Sequence, residues 1–232
     1  MKKTTTNDRT SNRKQGNKLL KDTGEEPTIG NYEGEMLEGK ADGIGKWTCQ
    51  ESKDEYEGEY INDMKEGHGT YTWKKGDKYV GEYKNDKRNG KGILTTATEE
   101  TYTGYFLNDE RDGKGINKWK NGEIYDGSYK RNLMHGSGIY TFENGDKYEG
   151  KWKENKKDGK GKMTYFNGDV YNGNWKNDMK DGNGLYTWRS GLKYEGLYKE
   201  DQRHGKGIET SVKGKRKSYH YDNDKVIKKR KK

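Results

Sequence analysis

The chain has 232 residues, a formal charge of +9, 38% charged residues and only 25% hydrophobic residues. That composition excludes a wide aliphatic core, and without further pattern it would describe a disordered chain. One cysteine, Cys49, excludes an intrachain disulfide framework, and no apolar run reaches the length of a signal peptide or membrane span, so a soluble intracellular protein is expected.

The charge is unevenly placed. Residues 1–31 are net +3, residues 32–212 net −2 and residues 213–232 net +8. Bulk charge therefore gives no support for a nucleic-acid groove in the middle of the chain, and nucleic acid is disfavoured as a partner. Residues 1–31, polar with one apolar pair at Leu19-Leu20, are expected to form a disordered basic arm.

A strict period begins at Tyr32. The motif Tyr-x-Gly opens at Tyr32 and Tyr56, then every 23 residues at Tyr79, Tyr102, Tyr125, Tyr148 and Tyr171; at Tyr194 it opens for the eighth time. Disorder needs no register, so the period overrides the compositional reading and signals a repeat architecture. Each repeat has two segments of strand character. The first reads like Tyr148-Glu-Gly-Lys-Trp152; the second reads like Gly67-His-Gly-Thr-Tyr-Thr-Trp73. Both alternate with period two, so rings and glycines share one face. The connection inside a repeat resembles Ile61–Glu66, and the connection between repeats carries a glycine at 76, 122, 145, 168, 191 and 214. Glycine there supplies the positive φ of a tight hairpin.

A symmetric loop after Tyr60 predicts a register in which Tyr60 faces Gly67, Gly58 faces Gly69 and Tyr56 faces Tyr71. Across the next turn, Tyr71 would face Gly81 and Gly69 would face Tyr83. Rings then lie over glycines in a checkerboard, covering bare strand backbone. Sixteen such strands, at about 4.8 Å each, would extend roughly 75 Å. The expected fold is all-β: an elongated, twisted, single-layer antiparallel ribbon of tandem β-hairpins. Its free edge invites pairing with a second copy, so a homodimer by edge pairing is one expected partner.

The third repeat departs from the pattern, with Leu94 and Thr96 where neighbours have rings and Glu99 in the turn-glycine slot. Residues 215–232 are expected to be a degenerate cap, with Tyr219 following 25 residues after Tyr194, and a basic tail of Lys228, Lys229, Arg230, Lys231 and Lys232. That tail has three readings: a solvated end, a nuclear address, or an electrostatic contact with acidic lipids, acidic protein tails or nucleic acid.

Little in the chain points to chemistry. His135 and His204 occupy a slot that holds Asp42, Glu66, Asn89, Asp112, Asp158 and Asp181 in other copies, so they are turn residues rather than acid–base catalysts. No zinc or calcium spacing is present, and Gly-x-Gly lacks the following helix of a phosphate loop. No catalytic residue, metal or cofactor is expected. The one binding candidate is the ring face: Tyr56, Tyr60, Tyr79, Tyr83, Tyr102, Phe106, Tyr125, Tyr129, Tyr148, Trp152, Tyr171, Trp175, Tyr194 and Tyr198 are expected to line a groove for partner proteins.

Eight in-phase copies of Tyr-x-Gly-x-aromatic, each with Gly-x-Gly eleven residues after the tyrosine, resemble the MORN repeat (membrane occupation and recognition nexus). The resemblance spans residues 32–214 and implies twisted antiparallel ribbons. It resembles the stand-alone members rather than those with catalytic domains or membrane anchors. This implies a non-enzymatic scaffold that docks proteins in a cytoskeletal assembly of the cytoplasm, above all a ciliary axoneme, similar to radial-spoke-head proteins. The alternative is a peripheral adaptor that binds acidic phospholipids through the repeats and the basic tail.

Overall fold

The structure, a computed structural model, describes residues 13–22 and 28–227. Residues 1–12 and 23–27 lie outside it, and so does the basic tail Lys228, Lys229, Arg230, Lys231 and Lys232. No helix occurs among the described residues, and the fold is all-β, built of tandem antiparallel hairpins. The chain divides into two compact units, residues 1–111 and 112–232.

The first unit contains β1 (Lys14–Asp22), β2 (Thr28–Leu37), β3 (Lys40–Cys49), β4 (Glu55–Ile61), β5 (Met64–Thr72), β6 (Lys78–Lys84), β7 (Lys87–Thr95) and β8 (Thr101–Leu107). They pair antiparallel in succession from β1 to β8. The second unit takes in most of β9 (Glu110–Lys118). It continues through β10 (Ile124–Lys130), β11 (Leu133–Thr141), β12 (Lys147–Lys153), β13 (Lys156–Thr164), β14 (Val170–Lys176) and β15 (Met179–Thr187). It ends with β16 (Lys193–Lys199), β17 (Gln202–Thr210), β18 (Arg216–Asp222) and the short β19 (Lys225–Val226), paired in the same way.

The expected register holds in part. Tyr56 faces Tyr71 and Gly58 faces Gly69, but Tyr60 faces Lys65, not Gly67. Across the next turn Tyr71 faces Tyr79, Gly69 faces Gly81, and Gly67 faces Tyr83. The difference comes from the turn. Asn62 (φ 51°) and Asp63 (φ 73°) make a two-residue turn with both residues left-handed, so the strands run on to Ile61 and Met64. Asn and Asp tolerate that region because their short side chains bond locally. The two residues left over, Gly67 and His68, are absorbed as a bulge, where Gly67 adopts φ +63°. Between repeats, the Trp73 N–H donates to Asp77 O at 2.9 Å and the Gly76 N–H to Trp73 O at 2.8 Å, with Gly76 at φ +99°. In the third repeat Glu99 takes this slot at φ 69°, in the left-handed region that glycine favours.

One end assignment needs correction. Residues 14–22 of the expected N-terminal arm are strand β1, paired along β2 with Gly16 opposite Gly34 and Lys18 opposite Tyr32. This is a degenerate second strand of a preceding repeat. Leu20 is buried, and its carbonyl accepts the Trp47 indole N–H at 3.1 Å. At the other end Tyr221, not Tyr219, is in phase. Tyr219 faces Gly207, while Tyr221 faces Gly205 and stacks edge-on against Tyr194 with centroids 5.4 Å apart.

Each opening tyrosine is core. Tyr56 lies across Gly58 and Gly69, where a Cβ would collide with its ring, and its hydroxyl donates to Glu59 O at 3.1 Å. The same bond recurs in the other seven repeats. The rings follow one another edge to face: Tyr56 meets Tyr60 at 5.2 Å and Tyr83 at 5.1 Å, and Tyr148 meets Trp152 at 5.1 Å and Trp175 at 5.4 Å. Each such pair contributes about 1 kcal/mol beyond its burial. A narrow column of rings over glycines thus replaces the wide core that the composition excluded.

Candidate protein-binding face

The fourteen rings expected to line a groove do share one face within each unit, but they are not open to solvent. From Tyr56 to Tyr198 their exposure runs from 0% to 6%. They form the floor of that face, because each opening tyrosine lies flat over its glycines and the ring four residues on closes against it edge-on. What a partner could reach is a second set of rings from the Gly-x-Gly strands: Tyr71, Trp73, Tyr140, Phe142, Tyr186 and Trp188 are all half-buried. They contact one another, Tyr71 with Trp73 at 4.6 Å, Tyr140 with Phe142 at 4.6 Å and Tyr186 with Trp188 at 4.7 Å.

Cations complete the face. Lys65, Arg88, Lys157, Lys180 and Arg203 recur at multiples of 23 residues, and each projects over rings of two successive repeats. The Lys157 ammonium lies 5.8 Å from the Tyr148 centroid and 4.6 Å from that of Trp175; the Arg203 guanidinium lies 4.6 Å from Tyr221. Burial depresses the Lys157 pKa, opposed by the nearby Asp178 carboxylate. The slot was legible as a period-23 series of long side chains, with Met134 as the exception, yet only folding shows that it meets the rings.

Polar bonds tie each repeat to the next. The turn carboxylates Asp86, Asp109, Asp178, Asp201 and Asp224 accept from the N–H groups of Lys65, Arg88, Lys157, Lys180 and Arg203. On the opposite edge the N–H groups of Lys74, Ala97, Phe166 and Arg189 donate to Asp54, Asp77, Asp146 and Asp169. The Arg189 N–H is the main reason the Asp169 carboxyl lies below its ordinary range. Such ladders link neighbours only, which makes the array quasi-one-dimensional.

Burial pushes the phenols of Tyr32 and Tyr165 up to about 12. The opening tyrosines Tyr56, Tyr79, Tyr125, Tyr148, Tyr171 and Tyr194 move the same way. A folded-state pKa above the unfolded value of ~10 stabilises the fold fully below pH ~10, and the gain is lost as pH rises through that value towards the folded one. Most of the phenolate absorbance is therefore expected to appear in one cooperative step coinciding with loss of circular dichroism, because most of the tyrosines are buried. A smooth titration centred near pH ~10 in folded protein would contradict the buried column.

The histidines stand apart from one another in chain position. His68 is exposed with Nδ1 3.8 Å from Glu59, and His204 Nδ1 lies 3.7 Å from Asp222. No group of three or more His, Cys, Asp or Glu able to hold a metal occurs among the described residues. Cys49 is a buried free thiol.

Antiparallel hairpins in tandem, each with a tyrosine laid over paired glycines and each bonded to the next, define a β-hairpin repeat protein. The MORN repeat model matches residues 32–51, 56–78, 79–99, 102–124, 125–147, 148–170, 171–193 and 194–216. The chain belongs to the MORN-repeat family. No curated protein matches it. Among solved structures it is similar to the TCP domain of Drosophila melanogaster SAS-4 (dCPAP) in complex with a proline-rich motif of Ana2 (dSTIL). That match has 14% identity and a TM-score of 0.42, and covers 67% of this chain and 85% of the other. It is also similar to the TCP10 domain of Danio rerio CPAP, with 12% identity and a TM-score of 0.40, covering 87% and 92%.

Proposed function

We propose that the protein is a non-enzymatic scaffold that docks partner proteins along the ring face within a cytoskeletal assembly, and that this assembly is a ciliary axoneme with a radial-spoke-head-like role. The observation that carries the reading is the second set of half-buried rings standing on a fully buried ring floor. A rigid apolar stripe flanked by cations suits the apolar face of a partner helix or an extended peptide. The fourteen floor rings act by holding that stripe in place. Membership of the MORN-repeat family supports a scaffold role in general.

The test is localisation with crosslinked affinity capture of the tagged full chain, beside a Trp73→Ser/Trp188→Ser variant whose fold is checked by circular dichroism. Specific partners captured by the wild type should be lost from the folded variant. An even cytosolic spread with no stable partner would refute the scaffold reading.

The second reading, an adaptor for acidic phospholipids, is supported by the net +8 of residues 213–232. Vesicle co-sedimentation with and without those residues decides it; equal failure of both forms removes it.

A further inference from the structure

The overall charge of the repeats is nearly balanced, but the second unit segregates it on the face opposite the rings. Two adjacent rows of paired positions cross β10–β17 there. One row holds Lys130, Lys153, Lys156, Lys176 and Lys199, and the other Lys151, Lys160 and Lys206. All eight lysines are exposed, and among the described residues none forms an ion pair. Lys151 donates to Ser137 Oγ at 2.9 Å. No Asp or Glu occupies a paired position of either row in β10–β17. Asp158 and Asp181 lie half-buried near the bulges, and Glu154 and Glu200 lie in the turns.

The first unit shows what this band lacks. There Glu35, Glu59 and Glu82 reach along the same face to the bulge. Glu35 accepts the Ile44 N–H at 3.0 Å, Glu59 the His68 N–H at 2.7 Å and Glu82 the Lys91 N–H at 3.0 Å. In the second unit the glutamate slot holds Ser128, Lys151, Asn174 and Leu197, and the donor slot holds Ser137, Lys160, Asn183 and Lys206. No side chain among the described residues accepts from those four N–H groups. The place that an internal carboxylate fills in one unit is taken in the other by Ser128, Lys151, Asn174 and Leu197, none of which brings a negative charge, and lysines lie beside it.

We infer that this lysine band is a docking track for an acidic, extended polypeptide, whose carboxylates take the positions that Glu35, Glu59 and Glu82 fill in the first unit. A carboxylate at the bulge accepts a backbone N–H and lies among ammonium groups, the charge-assisted arrangement that the first unit builds internally. Two features favour this occupant over other polyanions. The band is narrow, and the next row mixes Asp126, Glu149 and Glu195 with Lys162, which suits a linear chain better than a planar membrane. The strand rings of the second unit all project from the other face, so single-stranded nucleic acid finds no stacking platform. The track lies opposite the ring face, so it stands or falls separately from docking there.

The test uses the full chain and a fluorescein-labelled oligoglutamate peptide, followed by fluorescence anisotropy at low and moderate salt. The wild type should bind, with affinity falling as salt rises. K151E/N174E supplies the missing carboxylates from within the chain and should weaken binding more than tenfold with no loss of thermal stability. A full-length variant with Lys228, Lys229, Lys231 and Lys232 changed to glutamine should bind within threefold of wild type. The inference is overturned if the wild type does not bind the peptide, if K151E/N174E binds like wild type, or if the tail variant loses binding. It is overturned equally if phosphatidylserine vesicles or oligothymidylate bind more tightly than the peptide at equal total charge.

Discussion

Replacing Tyr148 with alanine is expected to destabilise the second unit by about 4 kcal/mol, the usual cost of deleting a large buried ring. The ring has 0% exposure and packs edge-on against Trp152 and Trp175. It covers Gly150 and Gly161, and its hydroxyl donates to Lys151 O at 3.0 Å. Its removal opens a cavity that glycines cannot fill and bares strand backbone on both. Y148F keeps the ring and loses only the hydroxyl, so it should cost about 1 kcal/mol. Denaturant unfolding of both variants, read by circular dichroism and by the fluorescence of the two flanking tryptophans, measures the contrast. Because repeats interact only with neighbours, Y148A should also make the transition less cooperative. Equal midpoints for Y148A and wild type would show that the ring column does not hold the repeats together.

The second large effect separates two reasons for a glycine. G161A is expected to cost about 3 kcal/mol by overpacking. The added Cβ would meet the Tyr148 ring, pinned between Trp152 and Trp175, so the ring cannot retreat without breaking its bond to Lys151 O. Gly161 adopts no left-handed backbone conformation, so the penalty is one of space. G122A is the converse case. Gly122 has φ +88° and nothing within 4 Å of the added atom, so the substitution costs only backbone strain, about 1 kcal/mol. Thermal unfolding of both variants checks the order; a G122A protein less stable than G161A would mean that turn conformation, not room under the ring, governs the glycines.

Much of the fold was legible because a period leaves little freedom. Tyr-x-Gly at a step of 23 residues places rings and glycines on one face wherever strands form, and eight copies exclude chance. The register past each turn was not legible from glycine spacing. Asn62-Asp63 and its counterparts carried the signal for a two-residue left-handed turn, but a symmetric six-residue loop passes over them and misses the compensating bulge at Gly67. Strand β1 escaped for a related reason: Gly16 and Leu20 keep only part of the motif, and their partners Gly34 and Gly30 lie on a different strand.

The candidate site divides in the same way. The chain by itself determined which residues recur, hence the rings and the glycines, because these are properties of type and spacing. Tertiary structure alone decided what each recurring residue does. It sank the first-strand rings to the floor and left the second-strand rings reachable, because an opening tyrosine bonded to a carbonyl three residues on must lie flat over glycine. It also sorted a nearly neutral array into one unit with internal carboxylates and another with an uncovered lysine band, since pairing brings together side chains far apart in sequence, and net charge carries no information about faces.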